Sequence, residues 1–383
     1  VTQSLERFDW SRFLARPRLP SPSPEVFDAL YRQPMLITGA GGSIGSALAL
    51  RLAGIGPDRL VLLEASESNL YALKRRWAAL GAASDFGGVR GSGPAVPMTP
   101  LLGSIDNEPL LEHIFSRYAP RLVFHAAAFK HVPLMEEHPL AAISNNIFGT
   151  ETLTRVAAAH GARVVLLSTD KAVEPTSVMG ATKRVAEQIV LSASGVALRL
   201  GNVLATRDSV VKIFANQIAR GGPITVTDPA ARRYFLTLDE AVNLLLIAAA
   251  QPEPAAVLAP VLQSTHFVSD LAHFMADTLA PGREIAIDFT GARPGDKDTE
   301  LLWSAGNEIR PMEKRFGQDA MVYVDAERLP AEQLGAGLAN LHAVAQSYDL
   351  AGALAHLRWL VGDFRPSQAV QELARQISLP NSL

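Results

Sequence analysis

Three glycines follow an apolar run near the start of the chain. In Ile37–Thr38–Gly39–Ala40–Gly41–Gly42–Ser43–Ile44–Gly45 they stand three apart, at Gly39, Gly42 and Gly45. Glycine at this spacing permits a tight turn, lets the backbone approach a pyrophosphate, and lets the next helix pack close on the strand. The following apolar run ends in Glu64, about 25 residues on, where a carboxylate can accept from a ribose 2′-hydroxyl. The loop therefore reads as a dinucleotide cradle. Glu64 favours NAD, because a carboxylate repels a 2′-phosphate. Arg75 and Arg76 keep NADP open, their alternative being a solvated helix face. A second concentration of reactive groups follows Val164–Leu167: Ser168–Thr169–Asp170–Lys171, then Met179–Gly180–Ala181–Thr182–Lys183. An adjacent Asp–Lys pair at a strand end can serve as acid and base. Met179 and Lys183, four apart, share one helix face. Without further context the same residues also fit a solvated strand end beside a core methionine.

These residues need strand ends to carry them. Met35–Ile37, Leu60–Leu63, Leu122–Phe124, Val164–Leu167 and Val196–Leu198 are continuous apolar runs separated by stretches of helical period. That pattern predicts parallel strands covered on both faces, a doubly wound α/β fold with ligands at the carboxyl ends of its strands. Residues 34–205 form this expected dinucleotide-binding domain. Before it, Leu5–Leu14 reads as a short, imperfectly amphipathic helix and Arg16–Pro24 as an extended Pro/Ser-rich linker, together residues 1–33. Gly81–Pro100 reads as a surface loop. After about Ala205 the alternation weakens, and two Gly/Pro-bearing segments, from Gly221 and from Gly291, predict a smaller lobe over 206–328, interleaved with the first domain. Residues 329–383 are Ala/Leu-rich and predict a helical tail.

Composition bounds the rest. A chain of 383 residues fits about two domains. Charged residues make up 19%, below the usual ~25%, which argues against a disordered chain. Lys plus Arg is 35 against 38 acidic residues, a net charge of −3, so a nucleic-acid-coating protein is not expected. The absence of cysteine excludes disulfides, thiolate metal sites and Cys nucleophiles, and no His/acid cluster has metal-ligand spacing. The most apolar stretch, Ala241–Gln263, is broken by Pro252, Glu253, Pro254 and Pro260, so no membrane span is expected. The chain opens without Met and without a signal-peptide pattern. A cytoplasmic protein is expected, or the cytoplasmic part of a membrane-anchored one.

Longer motifs add a resemblance. TGAGGSIG, FHAAAFKHVPLMEEHPLAAISNNIFGT (Phe124–Thr150) and STDKAVEPTSVMGATKRVAE (Ser168–Glu187) together resemble an extended short-chain dehydrogenase/reductase. More narrowly they resemble the bacterial polysaccharide-biosynthesis branch, the UDP-N-acetylglucosamine 4,6-dehydratases. RLGNVLATRDSVVKIFANQIARGGPITVTDPAARRYFLTLDEA and GARPGDKDTELL resemble that branch's nucleotide-sugar segments. The resemblance implies that Gly39, Gly42, Ser43, Ile44, Gly45 and Glu64 hold the dinucleotide. Ala126, Ala127 and Lys130 then line cofactor and sugar, with Asn146 behind the site. Thr169, Asp170 and Lys171 match the Thr–Asp–acid/base triplet of sugar-nucleotide dehydratases, and Lys183 the lysine on the nicotinamide ribose. Asn202, Arg233 and Arg293 match contacts to sugar and UDP, the alternative for each arginine being a surface ion pair.

Three positions depart from the family pattern. Met179 stands where a tyrosine is usual, and a thioether cannot shuttle a proton. Ser104 stands where an Asp often contacts adenine, and Asp296 replaces the usual Glu. His125 and His131 are expected to line or pack. The activity implied is loss of water from a UDP-hexose, expected to be UDP-N-acetylglucosamine, for surface polysaccharide or glycan synthesis. NAD is then tightly held and not consumed, Lys171 acts as base and Asp170 as acid. A basic Lys171 requires a pKa well below the free value of about 10.4, and burial and Lys183 are expected to push it down. A 4-epimerase or reductase of the same fold, and a non-catalytic dinucleotide-binding sensor or assembly partner, are the alternatives. Self-association is implied by the resemblance alone.

Overall fold

The computed structural model describes residue 5 and residues 8–82, 96–207, 209–313 and 320–378. Among these, nine strands form the central sheet: β1 (Pro34–Thr38), β2 (Arg59–Glu64), β3 (Met98–Leu102), β4 (Leu122–His125), β5 (Arg163–Thr169), β6 (Val196–Leu200), β7 (Ala256–Pro260), β8 (Glu308–Pro311) and β9 (Met321–Asp325). Their order is β8-β9-β7-β6-β5-β4-β1-β2-β3. The strands from β3 to β7 in that order pair in parallel. Helices cover both faces, which is why the strand sequences are apolar without alternation: Met35, Leu36 and Ile37 are all fully buried. The doubly wound α/β reading holds, with an addition. β9 runs antiparallel to β7 and β8 antiparallel to β9, extending the sheet at one edge. β9 is an apolar run that buries Met321, Tyr323 and Val324 in the main core, whereas β8 is exposed along its whole length.

From β1 the chain goes to β2 and β3 on one side and returns to β4 on the other. This reversal opens a crevice at the carboxyl ends of β1 and β4, the place where open α/β sheets bind ligands. At the opposite margin β3 begins inside the stretch expected to be loop. Pro100 costs a ladder donor there, which an edge strand tolerates. The helix Glu67–Ala82 enters that stretch from the other end. Residues 83–95 of the predicted loop lie outside the described residues.

A smaller assembly stands over the crevice. Ile224–Val226 pairs with Ile287–Phe289, and Arg232–Arg233 with His266–Phe267. The helices Val210–Ala219 and Val268–Leu279 pack beside them around Phe214, Phe235, Leu271 and Met275. Leu5, Trp10, Phe13 and Leu14 belong to the same core. Within the short helix expected over Leu5–Leu14, Leu5 and Ser11–Leu14 are helical among the described residues and Phe8–Trp10 are not, and the segment's burial comes from this tertiary contact. The stretch from Arg16 to Ser23 carries neither helix nor strand, yet it is anchored. Arg16 donates to both carboxylate oxygens of Glu240 at 2.7 and 3.0 Å, and Leu19 N donates to the same carboxylate. The helix Pro24–Leu30 then buries Val26 and Leu30 in the main core.

The tail forms the helices Ala331–Gln346, Leu350–Leu360 and Gln368–Ser378. They pack on the back of the helix Val178–Ser192 around Leu341, Leu357 and Phe364. Among the described residues no helix is long and apolar enough to cross a membrane.

Candidate active site

The crevice opens into a cavity of about 800 Å³. Its nucleotide end is built by the glycine loop. Gly39 has φ +66°, and a Cβ there would fall 2.7 Å from Ala127 N, so only glycine lets β1 and the end of β4 close on each other. Ala126 N completes the junction by donating to Thr38 O. Ser43 and Ile44 open the helix Ser43–Ala53 with no side-chain cap on its N-terminus, which leaves N–H groups and positive dipole for an anion. Glu64 is held in place by Gly41 N at 2.8 Å and Ser66 N at 2.9 Å. Each carboxylate oxygen keeps a second lone pair for a ribose hydroxyl. Ser104 also lines this end.

The chemical end is built by β5 and the turn Asp170–Ala172. Thr169 caps that turn, accepting from Lys171 N and donating to Asp170 Oδ1 at 2.9 Å. Lys171 Nζ donates to Asp170 Oδ1 at 3.0 Å and to Asn202 Oδ1 at 3.1 Å. Behind the turn, Ser177 and Glu136 satisfy the first N–H groups of the helix Val178–Ser192. That helix presents Met179 and Lys183 to the cavity on one face. Asn146 lies in a π-helical turn, Ser144–Phe148. Its amide joins the Phe129 backbone in both directions and donates to Thr182 Oγ1, tying the β4 loop to this helix.

The residues singled out from the sequence for catalysis, cofactor or substrate line this one cavity, except Asp170, Asn146 behind it, and Arg75 and Arg76 outside it. Asp170 is fully buried behind its wall, with Oδ2 lacking a hydrogen-bond partner. Thr169 and Lys171 stand between it and the cavity. Arg233 is buried, with Nη1 donating to the carbonyls of Arg232 and Asp298. Arg293 sits at the mouth, exposed and paired with Asp296 at 3.0 Å. Lys130, also exposed, donates to Arg207 O. His131 lines the cavity. His125 packs instead, between Thr38 and Thr150 hydroxyls, and burial drops its pKa to about 3. Arg75 and Arg76 stand outside the cavity wall, and Arg76 reaches Ser46.

The electrostatics correct one expectation. Burial works against the Lys171 ammonium, but Asp170 and then Glu300 outweigh it, so the Lys171 pKa stands above the ordinary lysine range rather than below it. Arg233, not Lys183, is the cation that opposes them. Asp170 is also raised, because burial outweighs the attraction of Lys171. Lys183 is lowered by burial to about 8, against the pull of Glu187.

Sequence reasoning missed Glu300, Lys297 and Arg207. Glu300 is buried 3.5 Å from Lys171 Nζ, 3.4 Å from Lys297 Nζ and 4.0 Å from Arg233 Nε. It lies within the GARPGDKDTELL segment, whose adjacency to Lys171 no local pattern announces. Arg207 N donates to Ser43 Oγ, and its guanidinium meets Asn69. It thus straps the smaller assembly across the nucleotide end.

A family model described as polysaccharide biosynthesis protein matches residues 35–318. The capsular polysaccharide biosynthesis protein CapD of Staphylococcus aureus is 38% identical over 293 residues, covering 74% of this chain and 47% of that protein. The probable polysaccharide biosynthesis protein EpsC of Bacillus subtilis is 36% identical over 296 residues, with the same coverages of 74% and 47%. The chain thus spans about half the length of the curated relatives it matches. Among solved structures, Pen from Bacillus thuringiensis superposes with a TM-score of 0.68 at 26% identity, covering 77% of this chain and 90% of Pen. DesIV of Streptomyces venezuelae, a dTDP-glucose 4,6-dehydratase solved with NAD, gives 0.59 at 19%, covering 70% and 87%, a likeness of fold. With the family model running from β1 to beyond β8, the chain belongs to the polysaccharide biosynthesis protein family.

Proposed function

We propose that the chain is a nucleotide-sugar 4,6-dehydratase acting on a UDP-hexose, UDP-N-acetylglucosamine first, and serving surface polysaccharide or glycan synthesis. The observation that carries this reading is the Asp170–Lys171 pair set against a dinucleotide cradle in one cavity, with Met179 in the wall. Sugar dehydration needs an acid and a base at neighbouring carbons, whereas 4-epimerisation needs proton transfer at C4 only. The cradle suits NAD: Gly39 leaves the room a Cβ would fill, and Glu64 disfavours a 2′-phosphate while Arg75 and Arg76 stand away.

NAD, when bound, supplies a two-electron oxidant at C4 and the matching reductant at C6. The chain's own residues move the protons. Thr169 Oγ1 relays the C4 hydroxyl proton to Asp170 Oδ1, the route its 2.9 Å hydrogen bond lays out and one that needs no tyrosine. Lys171 takes the C5 proton, made acidic by the neighbouring ketone. Asp170 returns its proton to the C6 hydroxyl, which leaves as water, and Lys171 gives its proton back to C5. Asn202 holds Lys171 in place, and Arg233 and Arg293 receive the UDP.

The test is proton NMR of UDP-N-acetylglucosamine incubated with the chain in deuterated water. The expected product carries a C6 methyl and deuterium at C5, with no cofactor added. Appearance of the C4 epimer instead would make the chain an epimerase. No reaction across a panel of UDP-hexoses, with dinucleotide bound, would favour a non-catalytic role.

A further inference from the structure

The dehydratase reading leaves one proton to place. In the substrate-free site Lys171 is an ammonium, held by carboxylates on two sides: Asp170 at 3.0 Å and Glu300 at 3.5 Å. To take the C5 proton it must first lose its own. Asp170 cannot receive that proton as well, because it must be a carboxylate when the C4 hydroxyl proton arrives through Thr169. One more acceptor is required, and Glu300 is placed to be it. It is only 2% exposed, with Oε1 toward Lys171 and Oε2 toward Lys297 Nζ at 3.4 Å.

We propose that Glu300 takes the ammonium proton of Lys171 when substrate fills the cavity, so that Lys171 meets C5 as an amine. The step breaks one N–H bond and forms one O–H bond, and no other atom changes. The groups facing Glu300 are Lys171, Lys297 and Arg233, with Asp170 beyond Lys171. The three cations keep Glu300 ionised while the site is empty. The transfer itself cancels the charge on Lys171, and a bound diphosphate compensates Arg233, leaving Lys297 alone. A cavity cleared of water also favours a neutral pair over a separated one. Glu300 is a positioning residue in this scheme: it touches no sugar atom and acts through Lys171.

The proposal rests on the dehydratase reading, and the experiment separates the two. Deuterium incorporation at C5 is followed against pH for the wild type, Glu300→Gln and Glu300→Asp. The wild-type rate should be flat through neutral pH, because the proton moves internally. Glu300→Gln should lose about a hundredfold near neutrality and regain about tenfold per pH unit as solvent takes the Lys171 proton instead. Glu300→Asp should restore most of the rate. A loss in Glu300→Gln that is equal at every pH would overturn the proposal, as packing alone predicts it. Should that variant not fold, infrared difference spectra of wild-type protein carrying 13C-labelled glutamate decide. Adding UDP-N-acetylglucosamine should produce one labelled, protonated carboxyl band, which Asp170 cannot supply; its absence overturns the proposal. A wild type that dehydrates no UDP-hexose overturns the dehydratase reading itself.

Discussion

Asp170 and Lys171 are neighbours in sequence, yet they meet different surroundings. Asp170 is sealed behind the wall, and Lys171 keeps contact with the cavity. Lys171→Met should therefore abolish C5 exchange while dinucleotide stays bound; exchange at the wild-type rate would remove Lys171 from the mechanism. His125 makes a different claim at this scale. Its folded pKa of about 3 lies below the unfolded value of 6.5, so the unfolded chain binds the extra proton between them. Its contribution to stability is full above pH 6.5 and is lost as pH falls toward 3, by up to about 1.4 kcal/mol per pH unit. Melting temperatures across that window should fall more steeply for the wild type than for His125→Gln.

The helix Val178–Ser192 is the element on which the site turns. Its first turn packs so tightly on the Asp170–Ala172 turn that a Cβ at Gly180 would fall 2.2 Å from Lys171 O. Gly180→Ala must therefore push Lys171 off its hydrogen bonds to Asp170 and Asn202. A drop in turnover of at least about tenfold is expected, from an ångström-scale misplacement, with dinucleotide affinity unchanged. Equal losses in turnover and in dinucleotide affinity would show that the whole helix had moved. At its other end the helix is fixed by Glu187, which accepts from Arg199 Nε and Nη2 at 2.9 and 2.8 Å and from Ser168. That pairing brings β5, β6 and the helix together, and drives the Glu187 pKa down to about 2 against the cost of burial.

Across the whole molecule, the cavity exists because a sheet and a smaller assembly are held facing each other. Arg16 is one of the ties. It joins the N-terminal segment to Glu240, whose carboxylate also receives Thr237 N in a capping box. Arg16→Ala strands a buried carboxylate and should cost roughly 2–4 kcal/mol in a denaturant melt. A change under about 0.5 kcal/mol, the range of an ordinary surface substitution, would mean that the segment adds nothing to the assembly.

The sequence by itself determined the apolar strands, and its local patterns located the glycine loop, Glu64 and the Asp170–Lys171 pair at strand ends, because each depends on residues close in the chain; the triplet's role came from the resemblance. Local patterns also placed the helix face that carries Met179 and Lys183. The tertiary structure alone decided what lies beyond reach of such patterns. β8 and β9 extend the sheet through pairings with distant partners: β8 lacks the apolar run that marks β1 or β5, and the apolar run of β9 does not by itself say that it lies antiparallel to β7. Lys171 was expected to be lowered by burial and by Lys183; burial does act that way, but Asp170 and Glu300, the latter far along the chain, hold it up. The sign of a buried group's shift is set by the charges folding brings around it, and for Lys171 those charges, on Asp170, Arg233 and Glu300, come from three separate segments of this chain.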